Sequence, residues 1–328
     1  MILITGGGGF IGSNLAAALE ERGEHHLAVC DRLGQDGKWR CIAKRELAAV
    51  VPPEGLFAFL DEHAREIGVV FHMGAISSTT ETDADLIAAT NFTLSQRLWE
   101  WCAETETRFI YASSAATYGD GSAGFDDDGS AAALARLKPL NAYGWSKHLF
   151  DRRVARLLEH NTARPPQWAG LKFFNVYGPN EYHKGAMKSV VAQIYPRAAQ
   201  GEPARLFRSH RPDVPDGGQK RDFVYVRDCV DMMLWLYDHP AMNGLFNIGS
   251  GTARSFADLA AAVFRALGQE PRIEFVDTPV EIRDKYQYFT EARVERLRTA
   301  GYARPPTPLE DGVRDYVQTY LAADDPYR

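Results

Sequence analysis

Apolar and polar positions follow two rhythms along this chain. Ile2-Leu3-Ile4-Thr5 is a short apolar run that stops at Gly6-Gly7-Gly8-Gly9. Apolar positions then recur at helical spacing through Leu15 and Leu19 until Gly23 ends the pattern. Strand, glycine turn and helix are the prediction. Leu27-Ala28-Val29-Cys30 predicts a second strand, closing on Asp31. Residues 53–67 read as a helix, and Val69-Val70-Phe71-His72 as a buried strand running into Gly74-Ala75. A helix over 83–104, a strand over 108–112, a helix over 141–160 and a buried strand over 169–176 complete the first half. Residues 119–137, rich in Gly, Asp and Ala, read as a loop with one short helix. Strands apolar throughout, alternating with helices, imply an α/β fold with a parallel, doubly wound sheet covered on both faces. Beyond residue 177 Pro and Gly become denser, and 201–221 reads as a polar loop. Strands over 223–226, 245–248 and 273–276 and helices over 228–236 and 255–267 follow. The expected division is 1–175 with 222–250 as a dinucleotide-binding domain, interleaved with a smaller α/β substrate domain of 176–221 and 251–328.

Composition adds limits rather than detail. With 328 residues, 45% hydrophobic and 24% charged, the chain can bury a large core. A formal net charge of -6 argues against a general nucleic-acid surface. Cys30, Cys41, Cys102 and Cys229 form no Cys-x-x-Cys pair and read as free thiols. No basic leader precedes the first strand and no apolar run is long enough to span a bilayer, so the expectation is a cytoplasmic protein without a membrane partner.

Chemistry enters at the glycines. Gly6, Gly9 and Gly12, between a strand and a helix, let backbone approach a pyrophosphate while the helix N-terminus offers N–H donors. Asp31, about 20 residues on, stands where a ribose ligand is expected. Arg32 and Lys38 close behind could instead grip a 2′-phosphate, or be plain surface charges. Tyr143 and Lys147 share one side of a helix, and a nearby ammonium favours the phenolate, making Tyr143 a usable proton acceptor. Alone, Tyr-x-x-x-Lys is short enough to arise by chance. Ser114 is placed to hold a substrate oxygen. His183-Lys184-Gly185 follows a strand end, where ligands bind in open α/β sheets, so Lys184 is either an acid/base or a phosphate clamp. Arg205, Arg208, Arg211, Lys220 and Arg221 are suited to a diphosphate, or to a solvated loop. His72 reads as a core or turn residue, Asp126-Asp127-Asp128 as a solvated loop, and no metal site is expected.

Thr5-Gly6-Gly7-Gly8-Gly9-Phe10-Ile11-Gly12, Ser113-Ser114, Tyr143-x-x-x-Lys147 and Phe174-Asn175-Val176-Tyr177-Gly178-Pro179 resemble the extended short-chain dehydrogenase/reductase superfamily, mostly nucleotide-sugar epimerases and dehydratases with a Rossmann-type sheet. The segments Gly74 to Glu81, Ser114 to Gly119, His183 to Met187, Lys220 to Val226 and Lys285 to Thr290 are similar to its ADP-heptose 6-epimerases. That resemblance implies inversion at C6″ between ADP-D-glycero- and ADP-L-glycero-D-manno-heptose, supplying lipopolysaccharide core heptose. Hydride would leave to NADP, with NAD the alternative, and return to the other face of a transient ketone. It makes Tyr143 and Lys184 the two acid/base groups, Ser114 the oxygen holder and Lys147 the ribose contact. Phe10, Ile11, Met73, Gly74, Ala75, Ile76, Ser77, Asn91 and Val176 join the cofactor site. Asn175, Ala186, Gln193, Phe207, Arg208, Ser209, His210, Arg221 and Tyr286 would contact the ADP-sugar. A homo-oligomer, by family a homopentamer, is also implied. The rivals are a C4″ epimerase, a dehydratase and a non-catalytic dinucleotide-binding regulator. A dehydratase needs an acidic pair after the catalytic serine, where this chain has Ala115-Ala116.

Overall fold

The computed structural model describes residues 1–279, 283 and 287–328. Seven parallel strands form the central sheet: β1 (Ile2–Thr5), β2 (Leu27–Cys30), β3 (Ala49–Val51), β4 (Val69–His72), β5 (Arg108–Ser114), β6 (Trp168–Phe173) and β10 (Gly244–Ile248). Their order is β10-β6-β5-β4-β1-β2-β3, so the sheet reverses direction of growth between β1 and β4. Crevices for ligands open outside the strand C-termini at such a switch point. Alternate residues of β1 serve opposite faces. Ile2 and Ile4 pack with the helices Phe10–Glu21 and Val226–Asp238, whereas Leu3 packs with Leu94–Glu104 and Ala142–Glu159.

A second body of structure carries β7 (Asn175–Tyr177), β9 (Lys220–Tyr225) and β11 (Ala253–Ser255) in one small sheet. β8 (Ala204–Phe207) pairs in parallel with β12 (Ile273–Val276). Its core sits under the helices Val190–Ala199, Phe256–Ala266 and Leu309–Asp315. A capping box at Ser255 and Asp258 starts the second of these.

The sequence pattern and the structure differ at several places, and β3 and β11 fall where no strand was expected. The run expected as one strand over 169–176 is two strands: at Phe174 the chain leaves the large sheet and joins the small one through β7. β8 lies inside the segment expected as a polar loop, because only Ala204 and Leu206 of its four residues are buried. The helix expected over 83–104 contains a wider π-type turn at Ala88–Thr93, with Asn91 buried inside it.

Candidate active site

The glycine turn is built from close backbone contacts. Gly6 has φ +68° and its N–H donates to the Cys30 carbonyl at 2.8 Å, while the Gly9 N–H donates to the Gly6 carbonyl at 2.9 Å. A Cβ on Gly6 would lie 2.5 Å from the Gly74 nitrogen, so β1 and β4 are drawn together at the switch point. Gly9 caps the following helix with no side chain, which leaves its first N–H groups turned toward the crevice. These features fit a dinucleotide's pyrophosphate.

Around the turn lies a cavity of about 320 Å³. It brings together Gly6, Gly9, Phe10, Ile11, Gly12, Asp31, Lys38, Met73, Gly74, Ala75 and Ser77 with Ser114, Tyr143, Lys147, Val176 and Lys184. His183, Met187, Phe173 and Phe174 also line it; His183, Met187 and Phe174 fall in the segments that carry the resemblance, and Phe173 is marked only by its place at a strand end. Ile76 and Asn91 stand just behind: Asn91 accepts from the Ile76 N–H and donates to its carbonyl, both at 2.9 Å. Asn91 also donates to Ser146 Oγ at 3.0 Å, and Ser146 donates to the Tyr143 carbonyl at 2.7 Å.

A buried chain of hydrogen bonds supports the same loop from below. Gly74 N–H donates to Thr5 Oγ1, which lies 2.6 Å from His72 Nδ1, and His72 Nε2 lies 2.9 Å from Ser95 Oγ. Ser95 donates to the Asn91 carbonyl at 2.6 Å. Burial, then Lys147, pushes the imidazole down to about 3, so it stays neutral with one nitrogen donating and one accepting. His72 is a satisfied core residue, as its pattern indicated.

Asn141 caps the helix Ala142–Glu159 by accepting from the Gly144 N–H at 2.8 Å. That cap places Tyr143 in the first turn and Lys147 one turn further. Sequence spacing suggests that Lys147 lowers the Tyr143 pKa. In the folded chain burial dominates and raises it, and the hydrogen bond with Ser114 is the opposing cause. Lys147 is itself lowered to about 8 by burial, opposed by Asp151. Ser114 is therefore the contact that favours the Tyr143 phenolate, and the lowered Lys147 is an ammonium that gives up its proton more readily than usual.

Lys184 approaches from the opposite element, the turn Tyr182–Met187, with its Nζ 5.2 Å from the centre of the Phe10 ring. Burial lowers its pKa and Glu181 opposes. Glu181 is fully buried, accepting from Ser189 N–H at 2.5 Å, Ser189 Oγ at 2.6 Å and Tyr316 OH at 3.1 Å. Ser189 is eight residues on but Tyr316 is 135, and only the fold brings that phenol over Glu181 to fix this turn.

At the end of β2, Asp31 accepts from the Gly8 N–H at 2.9 Å and from Lys38 Nζ at 2.6 Å. Arg32 lies outside the cavity and is paired with Glu54, both largely exposed.

The substrate candidates do not all gather there. Gln193 and Phe207 line a separate, more apolar cavity of about 410 Å³ with Ile194, Arg205 and Phe256. Gln193 donates to the Ala186 and Lys188 carbonyls, tying the Lys184 turn to that second cavity. Asn175, Ala186, Arg208 and His210 are exposed, with Arg208 facing Asp277 at 3.4 Å. Ser209 N–H donates to Asp216 and His210 N–H to Tyr288 OH, each at 2.8 Å. Arg221 is buried and donates to the Lys220 carbonyl at 2.9 Å and to the Gln287 carbonyl. Tyr286 lies outside the described residues.

Residues 2–249 match the family model described as the NAD dependent epimerase/dehydratase family. The chain is 50% identical, over the full length of both, to the ADP-L-glycero-D-manno-heptose-6-epimerase of Nitratidesulfovibrio vulgaris strain DP4. It is 44% identical, again over both full lengths, to the protein of that name from Fusobacterium nucleatum subsp. nucleatum. The crystal structure of Helicobacter pylori ADP-L-glycero-D-manno-heptose-6-epimerase superposes with a TM-score of 0.81 at 28% identity, covering 98% of this chain and 96% of that one.

Proposed function

The chain belongs to the NAD-dependent epimerase/dehydratase family, and within it we propose that it interconverts ADP-D-glycero- and ADP-L-glycero-D-manno-heptose by inversion at C6″, a step that supplies heptose for lipopolysaccharide. One observation carries this reading: Tyr143 and Lys184, from unrelated elements, line the same cavity as the glycine turn. A nicotinamide dinucleotide, held by the glycine turn, Asp31 and Lys147, would supply the hydride acceptor and donor for C6″. Ser114 holds the C6″ oxygen beside Tyr143. Tyr143, as the phenolate that the Ser114 hydrogen bond favours against burial, takes the hydroxyl proton of one epimer; after the sugar's side chain turns over, Lys184, as the ammonium, delivers a proton to the oxygen on the other side. In the reverse direction the two exchange roles. In this reading residues 1–175 with 222–250 hold the dinucleotide. Residues 176–221 with 251–328 hold the ADP-sugar, with Gln193, Phe207 and Arg221 on the nucleotide side.

Proton NMR of products from ADP-, UDP- and GDP-sugars tests the assignment. Inversion at C6″ of the ADP-heptose is the expected result; turnover of a UDP-hexose at C4″, with the heptose untouched, overturns it. Cofactor bound in the purified protein, with no transient reduction by any sugar nucleotide, would instead support the regulator.

NADP is the dinucleotide we assign, with NAD a close competitor. Asp31 disfavours a 2′-phosphate and Lys38 and Arg32 favour one, while Glu54 occupies Arg32. Two carboxylates and two cations balance, so NADP and NAD are expected to bind within about tenfold of one another, roughly 1.4 kcal/mol. The Arg32–Glu54 pair is exposed and weak, so Arg32 can exchange Glu54 for a phosphate. Glu54→Gln is expected to shift the NADP-to-NAD affinity ratio about threefold to tenfold toward NADP. Competition between the two dinucleotides, read by mass spectrometry of the bound fraction, measures it; an unchanged ratio removes Glu54 from the selection. A cytoplasmic homo-oligomer, a pentamer by family, is the accompanying proposal, and light scattering of the purified chain tests its size. Among the described residues no helix is long and apolar enough to cross a membrane.

A further inference from the structure

Behind the cavity lies an ion pair whose two side chains are essentially shut off from solvent. Lys172 Nζ in β6 meets Asp151 Oδ2 at 2.7 Å, with side-chain exposures of 1% and 0%. Neither residue lines the cavity. The other partners of Asp151 lie in β5, which ends at Ser114, and those of Lys172 in the short turn Ala115–Tyr118 that Ser114 caps. Asp151 sits two turns beyond Tyr143 on the same helix and accepts from Ser113 Oγ at 2.7 Å and Tyr111 OH at 3.1 Å. Lys172 donates to Thr117 Oγ1 at 2.7 Å and lies 5.0 Å from the centre of the Tyr118 ring. Thr117 in turn donates to the Ser114 carbonyl at 2.8 Å. The Ser114 turn is thus gripped on both sides of Ser114, at Ser113 and at Thr117, by one ion pair. A third contact sets the spacing: a Cβ on Gly144 would lie 2.7 Å from the Ala116 carbonyl, so helix and turn touch backbone to backbone.

Stability alone does not account for such a pair. Desolvating two charges offsets most of their attraction, and well-packed apolar residues of similar volume often serve as well or better. What apolar residues cannot supply is direction. A carboxylate taking hydrogen bonds from Ser113, Tyr111 and Lys172 together fixes the helix against the turn along defined lines. Asp151 also faces Lys147 one turn away and raises its pKa against burial.

We propose that Asp151 and Lys172 are positioning residues for the epimerisation: through Ser113, Thr117 and the Ser114 carbonyl they hold the Ser114 hydroxyl and the Tyr143 phenol at their working separation. The kinetic form of the proposal rests on the reaction proposed above, while its geometric form does not.

The test removes both charges at once, since removing one strands the other in the core. In the Asp151→Leu/Lys172→Met double variant, kcat is expected to fall about thirtyfold, within the range that a misplacement of an ångström produces, with KM and bound cofactor nearly unchanged. A double variant with kcat within about threefold of the parent, or a loss carried by KM alone, overturns the proposal. Should the double variant fail to fold, Thr117→Val breaks only the link from Lys172 to the Ser114 carbonyl. It is expected to lower kcat about fivefold to tenfold at constant KM, and an unchanged kcat there is equally fatal. If the parent proves inert toward ADP-heptose, the proposed reaction has failed but the positioning claim has not. It is then read from crystals of parent and Thr117→Val, where the Ser114–Tyr143 oxygen separation must widen in the variant; an identical separation rejects it.

Discussion

Tyr143→Phe is expected to lower kcat for C6″ inversion about a thousandfold, and Lys184→Met to do nearly the same, with KM changed far less. The phenylalanine keeps the ring that lines the cavity and loses only the hydroxyl, so binding survives while proton transfer does not. The two losses should not multiply. Each group completes a step that the other cannot, so removing both costs little more than removing the slower one, leaving an enzyme that is nearly dead in all three cases. A sharper readout comes from the cofactor. Two proton acceptors facing opposite sides of C6″ mean that each single variant can still oxidise one epimer. Tyr143→Phe should show transient cofactor reduction with one ADP-heptose epimer and none with the other, and Lys184→Met should show the reverse preference. Full activity in either single variant, or the same epimer preference in both, rules out the two-sided scheme.

Much of this site is legible without coordinates, because its parts are local. The glycine turn needs only a strand before it and a helix after it, and Tyr143 and Lys147 need only helical spacing. Both signals lie within about twenty residues. Partners brought in from afar left no such trace. Lys172 reads as an ordinary strand residue until β6 places it beneath Thr117, 55 positions earlier in the chain. Glu181 looks like a surface acid in a loop until Tyr316, 135 residues on, closes over it. Glu54, paired with Arg32, changes the apparent preference for a 2′-phosphate by a contact across 22 residues. The pattern also ran on through Phe174 because both sheets want apolar residues there. Periodicity records burial and is silent about which sheet does the burying. The same limit applies to charge: spacing shows that Lys147 is near Tyr143, but only the packed structure shows burial raising the phenol's pKa with Ser114 opposing it.

Gly12→Ala is expected to empty the protein of dinucleotide and destabilise it by about 1–3 kcal/mol, although alanine is the better helix former by about 1 kcal/mol. Gly12 lies within the helix Phe10–Glu21, so backbone strain is not the issue. Space is. An added Cβ would sit 2.3 Å from the Gly6 carbonyl oxygen and 2.9 Å from Gly7 Cα, and neither atom can yield easily. The Gly6 carbonyl already accepts from Gly9, and Gly6 N–H is tied to Cys30 in β2. The methyl group must therefore push the helix N-terminus away from the turn, and those N–H groups are the ones a pyrophosphate requires. Gly68→Ala is the matched control, since a Cβ there meets nothing within 4 Å. It should retain both cofactor and melting temperature. Cofactor released from each purified variant, quantified by mass spectrometry beside a thermal melt, gives both readouts. A Gly12→Ala protein carrying its full complement of dinucleotide would show that the turn can relax, and that the cradle is looser than its contacts imply.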